Sequence, residues 1–77
     1  WYARSTNAAL DRKQLGARIE RAVEGLAPAY RAAFVLRAYH DLSLAEIAAT
    51  LDCDVNTVKS RLGRARAALR RSLGGPR

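Results

Sequence analysis

Between Val55 and Leu69 the apolar residues Val55, Val58, Leu62, Ala65 and Leu69 follow one another at intervals of three, four, three and four. At about 100° per residue these side chains fall within a sector roughly 80° wide. That spacing marks an amphipathic helix with one buried face. A lone helix has nothing to bury that face against, so the rest of the chain must supply its partners. Directly opposite the stripe lie Asn56, Thr57, Ser60, Gly63, Arg64, Ala67 and Arg71, with Lys59 and Arg61 on the two flanks. The stretch VKSRLGRARAALRR, Val58 to Arg71, holds six basic residues and no acidic one.

The charge is confined to this end of the chain. The 77 residues carry 14 basic and 7 acidic groups, a net charge of +7. Residues 1–54 contain seven of each sign and cancel, so the whole excess lies in residues 55–77, on Lys59, Arg61, Arg64, Arg66, Arg70, Arg71 and Arg77. A field this one-sided calls for an anionic partner: nucleic acid, a membrane surface or an acidic protein. A membrane-surface helix should carry exposed aromatics on its apolar face, and residues 55–77 contain none. No run of apolar residues is long enough to span a bilayer.

Catalysis finds little support. A chain of this length buries only about 60% of its unfolded surface, which leaves no room for a large cleft. There is a single His, His40, a single Cys, Cys53, no nucleophile–base pair in motif context and no phosphate loop. One Cys with one His makes neither an internal disulfide nor a metal site. No enzyme activity, cofactor, metal or small-molecule substrate is therefore expected, and the expected compartment is the cytoplasm. With no Met and a start at Trp-Tyr-Ala-Arg-Ser, the chain reads as a piece of a longer protein.

The punctuation between apolar runs divides the chain into four helices. Residues 1–6 have no clear period and read as the end of an interdomain linker. From about Asn7 to Gly25 the pattern is helical, capped by Thr6 or Asn7, with Leu15, Ile19, Ala22 and Leu26 on one face. Gly25 offers a left-handed exit, and Pro28 suits the first position of the next helix, where its missing N–H costs nothing. The run AYRAAFVLRAY is apolar on most sides and predicts a helix at the centre of the core, with Tyr30, Phe34 and Tyr39 as core aromatics. His40 falls in the connection that follows. Ser43-Leu44-Ala45-Glu46 has the sequence of a capping box, and Leu42 and Ile47 sit at the two positions of a hydrophobic staple. A short helix with Leu44, Ile47, Ala48 and Leu51 on one face stops at Asp52-Cys53-Asp54. There Asp52 suits a left-handed turn, Cys53 reads as a small buried or turn residue, and Asp54 caps the final helix, about 55–72. Residues 74–77 are expected to be a flexible tail.

The expected fold is all-α: a small four-helix domain over residues 7–73, ending in a helix-turn-helix. A short capped helix, a turn of about three residues and a second helix is that layout. In it the first helix supports and the second enters the DNA major groove by its N-terminal residues. The outward face of the last helix fits the role. It is small and polar at its N-terminal end, and Asn, Ser, Thr, Lys and Arg are the residue types that read base edges and grip phosphates. Arg66, Arg70 and Arg71 suit the phosphate backbone and the helix dipole.

These residues resemble region 4 of bacterial sigma factors, the extracytoplasmic-function group above all. The resemblance covers about residues 25–73. It is carried by Leu26 to Arg37, by Leu42 to Ala48 (Leu-Ser-x-x-Glu-Ile-Ala) and by Thr57 to Leu69 (Thr-Val-Lys-Ser-Arg-Leu-x-Arg-Ala-Arg-x-x-Leu). The resemblance implies that the last helix binds the promoter −35 element, double-stranded DNA, and that the domain docks on the β flap of core RNA polymerase. It further implies an anti-sigma factor as a partner. By the same likeness, phosphate contacts would come from Arg37, from Ser43 and Leu44 and from Thr57, and base readout from Lys59, Ser60 and Arg64. Asn56 joins them on the outward face. Arg61 lies nearer the docking stripe, where a structural or phosphate role competes with base contact. Five positions depart from the family pattern: Ala27 replaces a common Pro, Asp41 and Asp52 stand where Gly is common, Gly63 replaces a larger side chain, and Asp54 puts a negative charge beside the DNA. The alternative is the DNA-binding domain of a response-regulator type activator, which shares Glu-Ile-Ala and Thr-Val-Lys but lacks Arg61 and the Arg64-Ala65-Arg66 run.

Overall fold

A computed structural model describes the backbone of residues 2–74 and the side chains of residues 12–74. These residues form four helices and no strand: α1 (Tyr2–Glu24), α2 (Pro28–Ala38), α3 (Leu44–Leu51) and α4 (Val55–Gly74). The all-α architecture is the expected one. The outer boundaries differ. α1 begins at Tyr2 rather than near Asn7, so residues 2–6, read as linker, are helical, and Thr6 and Asn7 are interior rather than capping. No Gly or Pro interrupts residues 2–15, and once a helix is nucleated each added residue gains a hydrogen bond. α4 runs on through Gly74, and residues 75–77 of the expected tail lie outside the described residues.

The buried stripe of α4 is the beam of the domain, and α4 packs against all three other helices. Val58, Leu62, Ala65 and Leu69 are buried, and Val55 is half-buried. The N-terminal half of α4 closes one apolar cluster with Ala33, Ile47 and Ala48, and its C-terminal half closes a second with Val23 and Leu26. Phe34 of α2 packs against both clusters and joins them. Complete burial of a Leu or Ile side chain is worth about 1.5–3 kcal/mol, so Ile47 and Leu62 are principal contributors. α2, expected at the centre of the core, is instead one wall of it. Only Ala33 is fully buried there, and Tyr39, expected inside, is 53% exposed with its ring edge-on to Phe34 at 6.4 Å.

α1 lies against α4 in the antiparallel sense. Val23 meets Ala65 and Leu69, while the Arg18 guanidinium donates to the Leu73 carbonyl at 3.4 Å. Residues before Arg18 therefore extend past the end of α4. That explains why Leu15, expected on the buried face, is 47% exposed while Val23 and Leu26 are buried.

The connections follow from local chemistry. Gly25 does not take the left-handed exit expected of it. Instead its N–H bonds back to the Arg21 and Ala22 carbonyls, and the Arg31 guanidinium satisfies the end of the helix, donating to the carbonyls of Glu24 (2.9 Å) and Leu26 (3.3 Å). Pro28 opens α2 at its first turn, as expected. Asp41 and Asp52 both have φ 56°, the left-handed turns where the resemblance places Gly. At Asp52 this turns its own N–H and that of Cys53 onto the Ala48 carbonyl, ending α3 and aiming the chain into α4 after three residues.

Candidate nucleic-acid interface

The capping box forms as the sequence predicts. The Glu46 N–H donates to Ser43 Oγ at 3.0 Å, and the Ser43 N–H donates to Glu46 Oε1 at 2.8 Å. These bonds satisfy two of the donors that a helix start leaves open. Leu42 and Ile47 pack in the same apolar cluster, as the staple requires. α3 is thereby fixed at its N-terminus, and its Ile47–Ala48 face supports α4.

Two groups of predicted site residues emerge. At the α2–α3 junction, the exposed Arg37 guanidinium donates to the Leu42 carbonyl at 2.8 Å. This bond draws it against the connection just before Ser43, so Arg37, Ser43 and Leu44 gather at the start of α3. Ser43 is exposed, but the Leu44 side chain packs against the core cluster. The group that Leu44 leaves open at the surface is therefore its backbone N–H in the first turn of the helix.

The second group is on α4. Asn56, Ser60 and Arg64 are exposed on the outward face as expected, while Thr57, expected there too, is half-buried with Arg61 on the flank toward α2. With Tyr30 they line an open recess of about 390 Å³ that contains no carboxylate. Lys59 is exposed on the other flank and does not line the recess, so the structure does not bring it together with the rest. Arg61 also lies against the turn, its guanidinium 3.9 Å from Cys53 Sγ. Cys53 is half-buried and packs on the core, as read from the sequence. Gly63 is exposed, and a Cβ there would meet nothing within 4 Å.

Sequence reasoning missed Tyr30 as a surface residue. It read Tyr30 as core, and the ring does pack against the Val23–Leu26–Ala65–Leu69 cluster. The same side chain also forms one wall of the recess. Its polar tip was the available signal, since a tyrosine with an apolar body and a hydroxyl is suited to a boundary between core and partner.

A polar face on a groove-sized helix, a capped supporting helix and clustered cations are the parts of a helix-turn-helix DNA reader. Residues 16–69 match the family described as sigma-70, region 4. The chain belongs to the sigma-70 region 4 family. The region 4 match takes in the end of α1 from Gly16 and everything to Leu69, somewhat further upstream than the motifs alone. Over 57 residues the chain is 46% identical to the ECF RNA polymerase sigma factor SigE of Mycolicibacterium smegmatis, 74% of this chain and 22% of that protein. Over 49 residues it is 49% identical to the ECF RNA polymerase sigma-E factors of Escherichia coli and Salmonella typhimurium, 64% of this chain and 26% of each. This region 4 chain thus spans about a quarter of the length of the curated relatives it matches. The resemblance read from its motifs is borne out, and the response-regulator alternative is set aside.

Proposed function

We propose that this chain recognises the −35 promoter element for an extracytoplasmic-function sigma factor, directing RNA polymerase to initiate transcription in the cytoplasm. The observation that carries the reading is the division of α4. Its buried stripe locks the helix to the domain, while Asn56, Ser60 and Arg64 stand exposed opposite, over the first turns. A helix held this way presents side chains to base edges when its N-terminal half enters the major groove.

In this reading Ser60 and Arg64 read bases, with Asn56 and Lys59 beside them. Arg37, Ser43, the Leu44 N–H and Thr57 hold phosphates and set the register. Asp54 stands at the cap position of α4, where its carbonyl accepts the Val58 N–H at 3.1 Å. Core RNA polymerase, through its β flap, and an anti-sigma factor are the proposed protein partners. Among the described residues no helix is long and apolar enough to cross a membrane.

The test is a binding series on duplexes selected by the chain from a random pool. Ser60→Ala and Arg64→Ala should each lose about 1–3 kcal/mol of discrimination at one base position. Arg37→Ala should weaken all sequences alike and lower the salt slope by about one. Equal binding of −35-bearing and scrambled duplexes at physiological salt would remove the proposal.

A further inference from the structure

We infer that Tyr30 is a DNA contact, its hydroxyl completing a backbone-phosphate seat with Thr57 and Arg61 on the α2-facing flank of α4. The inference rests on the reading of α4 as a recognition helix and adds a residue from a different helix to the interface. When a helix enters the major groove, the face turned away from the domain meets base edges, and its flanks meet the strands that wall the groove. Thr57 and Arg61 occupy one flank, and Tyr30 reaches that flank from the first turn of α2, so that all three line the same recess.

The chemistry of the recess selects an anion with exposed oxygens. Its lining offers hydroxyl groups, an amide and two guanidinium groups, and no carboxylate. It is open to solvent and every lining side chain carries a hydrogen-bonding group, unlike the enclosed, mostly apolar pockets that hold small molecules. The Tyr30 ring is half-buried against the second apolar cluster, so its hydroxyl is positioned before DNA arrives and little side-chain freedom is lost on binding. Thr57 also lies in the first turn of α4, where the helix dipole favours a negative group. A neutral phenol adds a hydrogen bond to a phosphate without adding charge. Its contribution should therefore differ in kind from that of Arg61.

Tyr30→Phe isolates the hydroxyl and keeps the ring in the core. The probes are fluorescein-labelled duplexes, one of random sequence and one selected by the chain, read by fluorescence anisotropy. The variant should bind both about tenfold more weakly, a hydrogen bond to a charged acceptor being of that size. Its salt slope should be unchanged, because a phenol displaces no counterion, whereas Arg61→Ala should lower the slope by about one. Replacing single phosphates of the selected duplex by methylphosphonates gives a second readout that is independent of folding. One position should weaken the wild type and leave Tyr30→Phe indifferent. If Tyr30→Phe binds every duplex as the wild type does while Arg64→Ala loses its preference, the Tyr30 contact is refuted and the recognition-helix reading stands. A loss confined to one base identity, or no phosphate to which the variant has become indifferent, equally overturns the phosphate seat. A wild-type chain that binds no duplex refutes both.

Discussion

Ser43 has two roles in this reading, capping α3 and touching a phosphate, and substitution separates them. Its Oγ accepts the Glu46 N–H at 3.0 Å while its own N–H is held by Glu46 Oε1 at 2.8 Å. Ser43→Asp keeps an acceptor at the cap, where Asp ranks with Ser, and a carboxylate there gains about 0.3–1 kcal/mol from the helix dipole. Repulsion from Glu46 offsets part of that gain, so stability should stay within about 0.5 kcal/mol of wild type. On DNA the same carboxylate would face a phosphate. Two unit charges about 4 Å apart cost ~1 kcal/mol in bulk water and ~4 kcal/mol near a protein surface. Ser43 is exposed, and salt screens such a pair. The lower part of that range applies, about 1–2 kcal/mol, or roughly five- to thirtyfold weaker binding. Ser43→Ala reverses the weighting. It strands the Glu46 N–H and should cost about 1 kcal/mol of stability, a fall in Tm of about 4–8 °C for a domain of this size. Its effect on DNA is the smaller loss of one hydroxyl. Thermal unfolding by circular dichroism and anisotropy on a labelled duplex measure the two effects separately. If Ser43→Asp binds as tightly as wild type at physiological salt, no phosphate lies at the start of α3. If Ser43→Ala melts with the wild type, the capping box does not stabilise the domain.

Gly16 lies exposed inside α1, and a Cβ there would meet nothing within 4 Å, so Gly16→Ala should stabilise by about 1 kcal/mol and raise Tm correspondingly. An unchanged Tm would mean that this part of α1 is not helical when the domain melts. Asp52 holds φ 56°, a conformation that costs most L-residues about 1–2 kcal/mol. Asp52→Gly should stabilise by somewhat less than that, because Gly is freer when unfolded, and a lower Tm would show that the Asp side chain holds the turn. Arg66 and Arg70 stand four apart on a helix that has no acid between Val55 and Gly74. Such like-charge pairs cost about 0.2–0.5 kcal/mol each. Added salt should therefore raise the Tm of the free chain while weakening its binding to DNA, and salt effects of the same sign in both measurements would contradict this account.

The parts of the fold legible in the sequence are those set by local chemistry. Ser43 and Glu46 form their capping box through residues three apart, Pro28 fixes its own φ, and the Val58–Leu69 stripe follows from the pitch of one helix. Each needs only its neighbours in the chain. The misreadings arise where a distant element decides. Leu15 has the right spacing for burial, but α4 ends before reaching it. Tyr39 has a core-like side chain, but α2 is a wall rather than a centre. Gly25 could turn left-handed, but Arg31 satisfies the carbonyls and the turn closes without it. At the candidate site the same rule holds. The outward face of α4 was legible from its pitch, and the departures at Asp41 and Asp52 from the chemistry of left-handed turns. The recess was not, because Tyr30 joins Thr57 and Arg61 only through the packing of α2 on α4.

That packing divides the interface into two kinds of residue. Asn56, Ser60 and Arg64 are exposed opposite the stripe, so exchanging them changes what α4 presents to a groove without disturbing the apolar face beneath. Surface substitutions away from caps and networks usually move stability by less than about 0.5 kcal/mol. Tyr30, Thr57 and Arg61 are half-buried, Tyr30 against the second apolar cluster and Arg61 against the Cys53 turn, so changes there act on the fold and the interface together. In the proposed reading, base readout thus rests on residues free to vary, while the Tyr30, Thr57 and Arg61 phosphate seat is tied to the fold and Arg37 and Ser43 add exposed phosphate contacts. This is the division a DNA-reading domain requires, because backbone contacts hold the register on every sequence while base contacts distinguish one sequence from another.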